Sequence, residues 1–156
     1  DKGLLDIGIL LEPEINPRYE YQKLPFREPW GVLMRKDSPL AEKTSVQFND
    51  LAKLPLILPS QASNSNRLTT LFSDALAEPL IVATYNLIYN AGLMVEAGMG
   101  YALCIDGLIN TAGDHPLTFR PLSPQMESNV YLFFKKYQVF SKAVKLFVSR
   151  LQKSFL

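Results

Sequence analysis

Residues Pro79 to Ile105 read PLIVATYNLIYNAGLMVEAGMGYALCI. Two short apolar runs, Pro79–Thr84 and Tyr101–Ile105, bracket a stretch of helical periodicity. Runs of this length between turn signals suit strands buried on both faces, as parallel sheets require. Between them Ile88, Ala91 and Val95 recur on one helical face, Asn86 stands where a cap is needed, and Gly98 ends the pattern. A strand, a helix and a strand joined by tight loops form the repeating unit of a parallel layer with right-handed crossovers.

The same alternation extends upstream. Val46–Leu54 (VQFNDLAKL) places Phe48, Leu51 and Leu54 at helical spacing, with Asn49 and Asp50 near its start and Pro55 to stop it. Leu56–Leu58 is a short buried strand, closed by Pro59 and Ser60. The polar loop Ser60–Asn66 is rich in helix caps, and Leu68, Phe72 and Leu76 mark a helix face after it. Nearer the start, Leu4–Leu11 (LLDIGILL) reads as a strand buried on both faces. Glu12–Arg18 carries two prolines and is a loop. Tyr19–Leu24 and Trp30–Arg35 read as two further strands, and the polar segment Lys36–Lys43, with Pro39, ends the second. Downstream, a short helix is expected around Leu108. Leu117–Leu122 and Asn129–Phe134 are strands, and Ser141 caps a final helix with Val144, Val148, Leu151 and Phe155 on one stripe.

With 156 residues the chain has the length of one domain with a true core. Hydrophobic residues make up 47% and charged residues 20%, so the chain is not wholly disordered. Sixteen Lys and Arg face fifteen Asp and Glu. This balance argues against a nucleic-acid coat or a polybasic membrane binder, while leaving a local basic face open. The single Cys104 precludes an internal disulfide framework and a multi-Cys zinc site, and the lone His115 precludes a His-rich metal site. No apolar run approaches the ~20 residues that span a bilayer. The first residues do not form a signal peptide. Without an initiator Met, the chain is expected to be processed or a piece of a longer protein.

Open parallel sheets bind ligands beyond the carboxyl ends of their strands. Two such ends carry suggestive residues. Pro59, Ser60 and Gln61 offer hydroxyl, amide and free backbone N–H groups ahead of a helix start, which favours anions. Thr84 and Asn86 can hydrogen-bond a carboxylate, and Tyr85 can stack on a ligand. Both segments also read as ordinary helix caps in solvated loops. Glu12 closes the first strand and can reach the same crevice, or it is a solvated loop carboxylate. Cys104 lies in an apolar strand and reads as a small buried hydrophobe. No glycine-rich phosphate loop is present. The sequence nominates no catalytic residue, no metal ligand and no cofactor.

The order of these pieces resembles the effector-binding domain of LysR-type transcriptional regulators, over most of the chain. Gly3–Ile9 (GLLDIGI) resembles the family's "G-x-L-D-hydrophobic" strand, and Trp30–Ala41 (WGVLMRKDSPLA) its crossing strand. Asp50-Leu51 with Leu54-Pro55-Leu56-Ile57 resembles the "DL…PLI" helix and strand, and Met94–Leu103 (MVEAGMGYAL) the "lVaaGlGiall" segment. Asp106-Gly107 departs from the family, where a proline is frequent. The resemblance implies an α/β fold of the type 2 periplasmic-binding-protein kind, with two α/β subdomains, mostly parallel sheets and two crossing strands. On that pattern 37–121 is the second subdomain, and 1–36 with 122–156 is an incomplete first subdomain plus the crossings. The family's helix-turn-helix and the first strands of the first subdomain have no counterpart here. The open edge of Leu4–Leu11 is then expected to drive dimerisation or swapping.

These features imply a sensing domain that binds a small effector, anionic or aromatic, in the cleft between subdomains and shifts a hinge equilibrium. They also imply a homo-oligomer in the cytoplasm, with no membrane association and with DNA read only through the helix-turn-helix. The main alternative is an extracytoplasmic solute-binding protein of a transport system, which shares the fold. An enzyme on the same fold, such as a dehydratase, would have Glu12 as its one cleft carboxylate. A bare dimerisation module is the remaining possibility.

Overall fold

The structure, a computed structural model, describes residues 5–60 and 79–155. The expected helix at Leu68–Leu76, the site residue Gln61 and the start of the first strand lie outside the described residues. The chain divides into two compact units, one holding the chain up to Glu28 and from Ser128 onward, the other Pro29–Glu127. The larger unit thus includes 29–36 and 122–127, the segments that hold the expected crossings.

In the larger unit a sheet runs through the second half of β2 (Tyr19–Arg35), then β6 (Tyr101–Ile105), β4 (Pro55–Pro59) and β5 (Leu80–Tyr85). β4 is parallel to both β5 and β6, whereas β2 is antiparallel to β6 and to β7 (Leu117–Ser123). A two-residue strand β3 (Val46–Gln47) is parallel to β7. Parallel pairing is thus concentrated where short apolar runs alternate with helical segments.

Strand alternation divides the buried residues between the two faces of this sheet. Leu56 and Leu58 join Val32, Met34 and Leu103 in one cluster with Ala41, Val46 and Leu51. Ile57 joins Leu33, Ala102 and Cys104 in the other, under helix α1 (Ile88–Glu96), which contributes Ala91 and Val95. The end of α1 is a Schellman turn. Gly98 N–H donates to Val95 O (2.9 Å) and Met99 N–H to Met94 O (3.0 Å). Gly98 sits at φ +80°, a conformation that other residues adopt only with strain.

The smaller unit contains β1 (Ile7–Leu11), β8 (Glu127–Lys135), the first half of β2 and helix α2 (Lys142–Phe155). β8 lies between β1 and β2, and β1 pairs with it antiparallel. Its core is Leu24, Val130, Leu132 and Val148, with Ile7, Leu11, Val144 and Leu151 packed around them. Ser141 caps α2, with its Oγ accepting from Val144 N–H (3.3 Å).

Several local expectations are corrected. Leu4–Leu11 is not buried on both faces. β1 is the terminal strand of the order, and Ile9 is 56% exposed. Tyr19–Leu24 and Trp30–Arg35 are one strand, which runs through Pro25 and Pro29. Val46–Leu54 is not an α-helix but β3 followed by a single 3₁₀ turn, Phe48–Leu51. Asp50 closes that turn by accepting from Gln47 N–H (2.9 Å), so it caps a tight turn rather than a helix. The segment after β6 is a turn around Gly107 rather than a short helix.

Candidate functional site

The parallel register of β4 and β5 brings the two nominated strand ends together. Leu58 pairs with Thr84 and Pro59 with Tyr85, so Ser60 and Asn86 leave the sheet at the same level. Adjacent strands lie about 4.8 Å apart. A ligand group beyond these ends can reach both.

Thr84 and Asn86 are exposed and Ser60 is half-buried. Asn86 is not the cap of α1. That place falls to Leu87, whose carbonyl accepts from Asn90 N–H (3.0 Å), and no side chain caps the helix. The amide of Asn86 is therefore not committed to the helix it precedes. Of the two readings weighed for this segment, capping is the one the geometry does not support.

Tyr85 departs from the expected stacking role. Its ring lies in the α1-side cluster, and its hydroxyl donates to Leu103 O (2.8 Å) across the sheet. Burial pushes its phenol well above the ordinary range. Tyr85 anchors the end of β5, with Thr84 and Asn86 displayed on either side of it. Cys104 is buried, as its strand setting implies. Burial and the nearby Asp106 carboxylate push its thiol up to about 12, which removes it as a nucleophile near neutral pH.

Glu12 belongs to the smaller unit. Its Oε1 accepts from both the backbone N–H and the side-chain amide of Asn129, each at 2.8 Å. Its backbone takes a positive φ of 39°. It is therefore not a freely solvated loop carboxylate.

Sequence reasoning missed Arg120. Its Nε donates to Lys43 O (2.6 Å) and its Nη2 to Ala41 O (2.6 Å), while Nη1 reaches Thr118 Oγ1 and Phe119 O at 2.8 Å. This guanidinium locks the Pro39–Glu42 turn onto β7, and no local sequence signal reveals it because its partners are mainly carbonyls distant in sequence. Among the described residues, no group of three or more His, Cys, Asp or Glu could hold a metal ion. No helix of the described residues is long and apolar enough to cross a membrane.

The family model described as the LysR substrate binding domain matches residues 1–156. The HTH-type transcriptional regulator YvbU of Bacillus subtilis (strain 168) is 27% identical over 156 residues, covering 97% of this chain and 51% of that protein. The Hca operon transcriptional activator HcaR of Escherichia coli (strain K12) is 27% identical over 154 residues, with the same coverage of each. The chain thus spans about half the length of the curated relatives it matches. The effector binding domain of QuiR, in complex with shikimate, has a TM-score of 0.80 at 21% identity, over 97% of this chain and 74% of that one. At that identity the likeness establishes the shared fold.

Proposed function

The chain belongs to the LysR substrate-binding-domain family, and from that premise we propose that it is the effector-sensing part of a LysR-type transcriptional regulator. The observation that carries this reading is the family match over the whole chain. The paired strand ends of β4 and β5 supply its binding group. Ser60, Thr84 and Asn86 present a hydroxyl, a hydroxyl and an amide at adjacent positions, held by the buried Tyr85. Such neutral donors suit a small carboxylate effector, and QuiR, which shares the fold, is described with shikimate.

In this reading, effector binding shifts the population of two hinge states, and the whole regulator passes that shift to its DNA-reading heads. The division of labour at 37–121 and its flanks, a homo-oligomeric state and a cytoplasmic location belong to the same proposal. Both curated relatives are transcriptional regulators, which supports this role over a transport receptor. The family is one of regulators, and the reading assigns no catalytic step to Glu12.

The test is calorimetric titration of the chain with a panel of small cyclic and aliphatic carboxylates, shikimate and benzoate included. Binding by at least one, weakened about tenfold in Thr84→Val and Asn86→Ala, is the expected result. A tenfold loss equals about 1.4 kcal/mol, the scale of one neutral hydrogen bond. Uniform silence across the panel, or binding that ignores both substitutions, sinks the assignment of this site.

A further inference from the structure

Sixteen cations are spread over the chain, yet 128–156 holds six of them and no Asp or Glu. Helix α2 concentrates this excess. Val144, Val148 and Leu151 turn inward to Leu24, Val130 and Leu132. At 3.6 residues per turn, Lys142 and Lys153 fall opposite that stripe, with Leu146 beside them and Lys145 and Arg150 to either side. All four cations are exposed, and none of their side chains makes an ion pair or hydrogen bond with a described residue. Lys142 with Lys145, and Arg150 with Lys153, are like-charge pairs three apart, which weaken a helix. Glu20 lies on the same β2 face as Gln22, which accepts from Gln152 (3.0 Å).

We propose that the outer face of α2 docks on the phosphate backbone of duplex DNA, without reading its sequence. The choice of DNA as occupant rests on the regulator reading above, which tethers this domain near an operator and so raises the local DNA concentration. The chemistry narrows the choice further. A stable protein interface has a core poor in lysine, and this face is mostly lysine. An anionic bilayer needs an apolar stripe to insert, and the stripe of α2 is packed on Leu24, Val130 and Leu132, which leaves Leu146 and Phe147 as its exposed large apolar residues. A phosphate backbone asks only for positive charge. From Lys142 to Lys153 the helix rises about 16 Å, along which duplex DNA carries on the order of nine phosphates.

The test is fluorescence anisotropy of this chain with a labelled 30-base-pair duplex of arbitrary sequence, across a salt series. Four phosphate contacts give a slope of log K against log salt of about −3.6, or roughly a hundredfold loss between 50 and 200 mM. Each single change, such as Lys145→Gln, is expected to reduce the slope by about one. The quadruple Gln variant should abolish binding while keeping the circular dichroism and thermal melt of the parent. Lys53→Gln, in the other unit, should change nothing. No duplex binding at 50 mM salt, a slope untouched by the quadruple variant, or capture by polyglutamate or anionic vesicles in preference to duplex would each overturn the proposal. A chain that binds a carboxylate but not the duplex retains its sensing role and loses only this surface.

Discussion

The two units of this molecule solve burial differently. In Pro29–Glu127 the central strands are covered on both faces, so that neighbours Leu56 and Ile57 are both fully buried although they point to opposite sides. In the smaller unit the equally apolar β1 packs Ile7 and Leu11 but leaves Ile9, on the same face, and Leu10, on the other, exposed. An apolar run therefore does not by itself report burial. What matters is whether the chain supplies a layer on each side. The larger unit has α1 on one side and the Ala41, Val46 and Leu51 segments on the other.

The sharpest break in this comparison comes from two glycines. A Cβ at Gly31 would collide with the Phe119 ring and with the backbone carbonyl of Arg120, which the β2–β7 ladder holds in place. A Cβ at Gly8 would collide with the Phe133 ring alone. Rings can rotate away, whereas a laddered carbonyl cannot move without its strand. Gly31→Ala is expected to cost more than about 3 kcal/mol and Gly8→Ala about 1 kcal/mol, measured by urea unfolding. Equal costs would mean that the larger unit is no more rigid than the smaller.

Next in size is truncation of the apolar strands themselves. Leu56→Ala should cost about 3 kcal/mol through lost burial and a cavity, and Ile9→Ala under about 1 kcal/mol. The same urea midpoints decide it. An Ile9→Ala cost near that of Leu56→Ala would show that Ile9 is covered in solution, as it would be with a second chain packed against β1.

The contrast between units also explains what could be read from the sequence. The 79–105 unit was legible because both of its signals are local: the apolar period and the Gly98 stop. Helix α2 was legible for the same reason, through Ser141 and its stripe. Val46–Leu54 was misread because Phe48, Leu51 and Leu54 fit a helix, while Asp50 closes a 3₁₀ turn on Gln47 and ends it. The join of Tyr19–Arg35 into one strand was hidden by Pro25 and Pro29, which sequence rules treat as breaks. At the site, the adjacency of Ser60 and Asn86 follows from parallel pairing and was foreseeable. The inward turn of Tyr85 was not, because its partner, the Leu103 carbonyl, lies on a strand two places away in the sheet order.

The smallest effect concerns pH and isolates the larger unit's core. Cys104 titrates near pH 8.5 when unfolded, but burial holds it protonated up to about 12 in the folded chain. A pKa raised by folding gives stability that is complete below the unfolded value and lost as pH rises towards the folded one. Between pH 8 and 10 the thiol should therefore remove about 2 kcal/mol of stability. Cys104→Ala starts lower, for lost packing, and its stability should fall less over that interval by the same amount. Amide exchange adds the spatial test. Leu103 and Ile57 should lose protection with rising pH, beyond the intrinsic rate, in the parent and not in the variant. If the parent and Cys104→Ala decline in parallel, the thiol is hydrated in the folded state and the two-sided burial of β6 is incomplete.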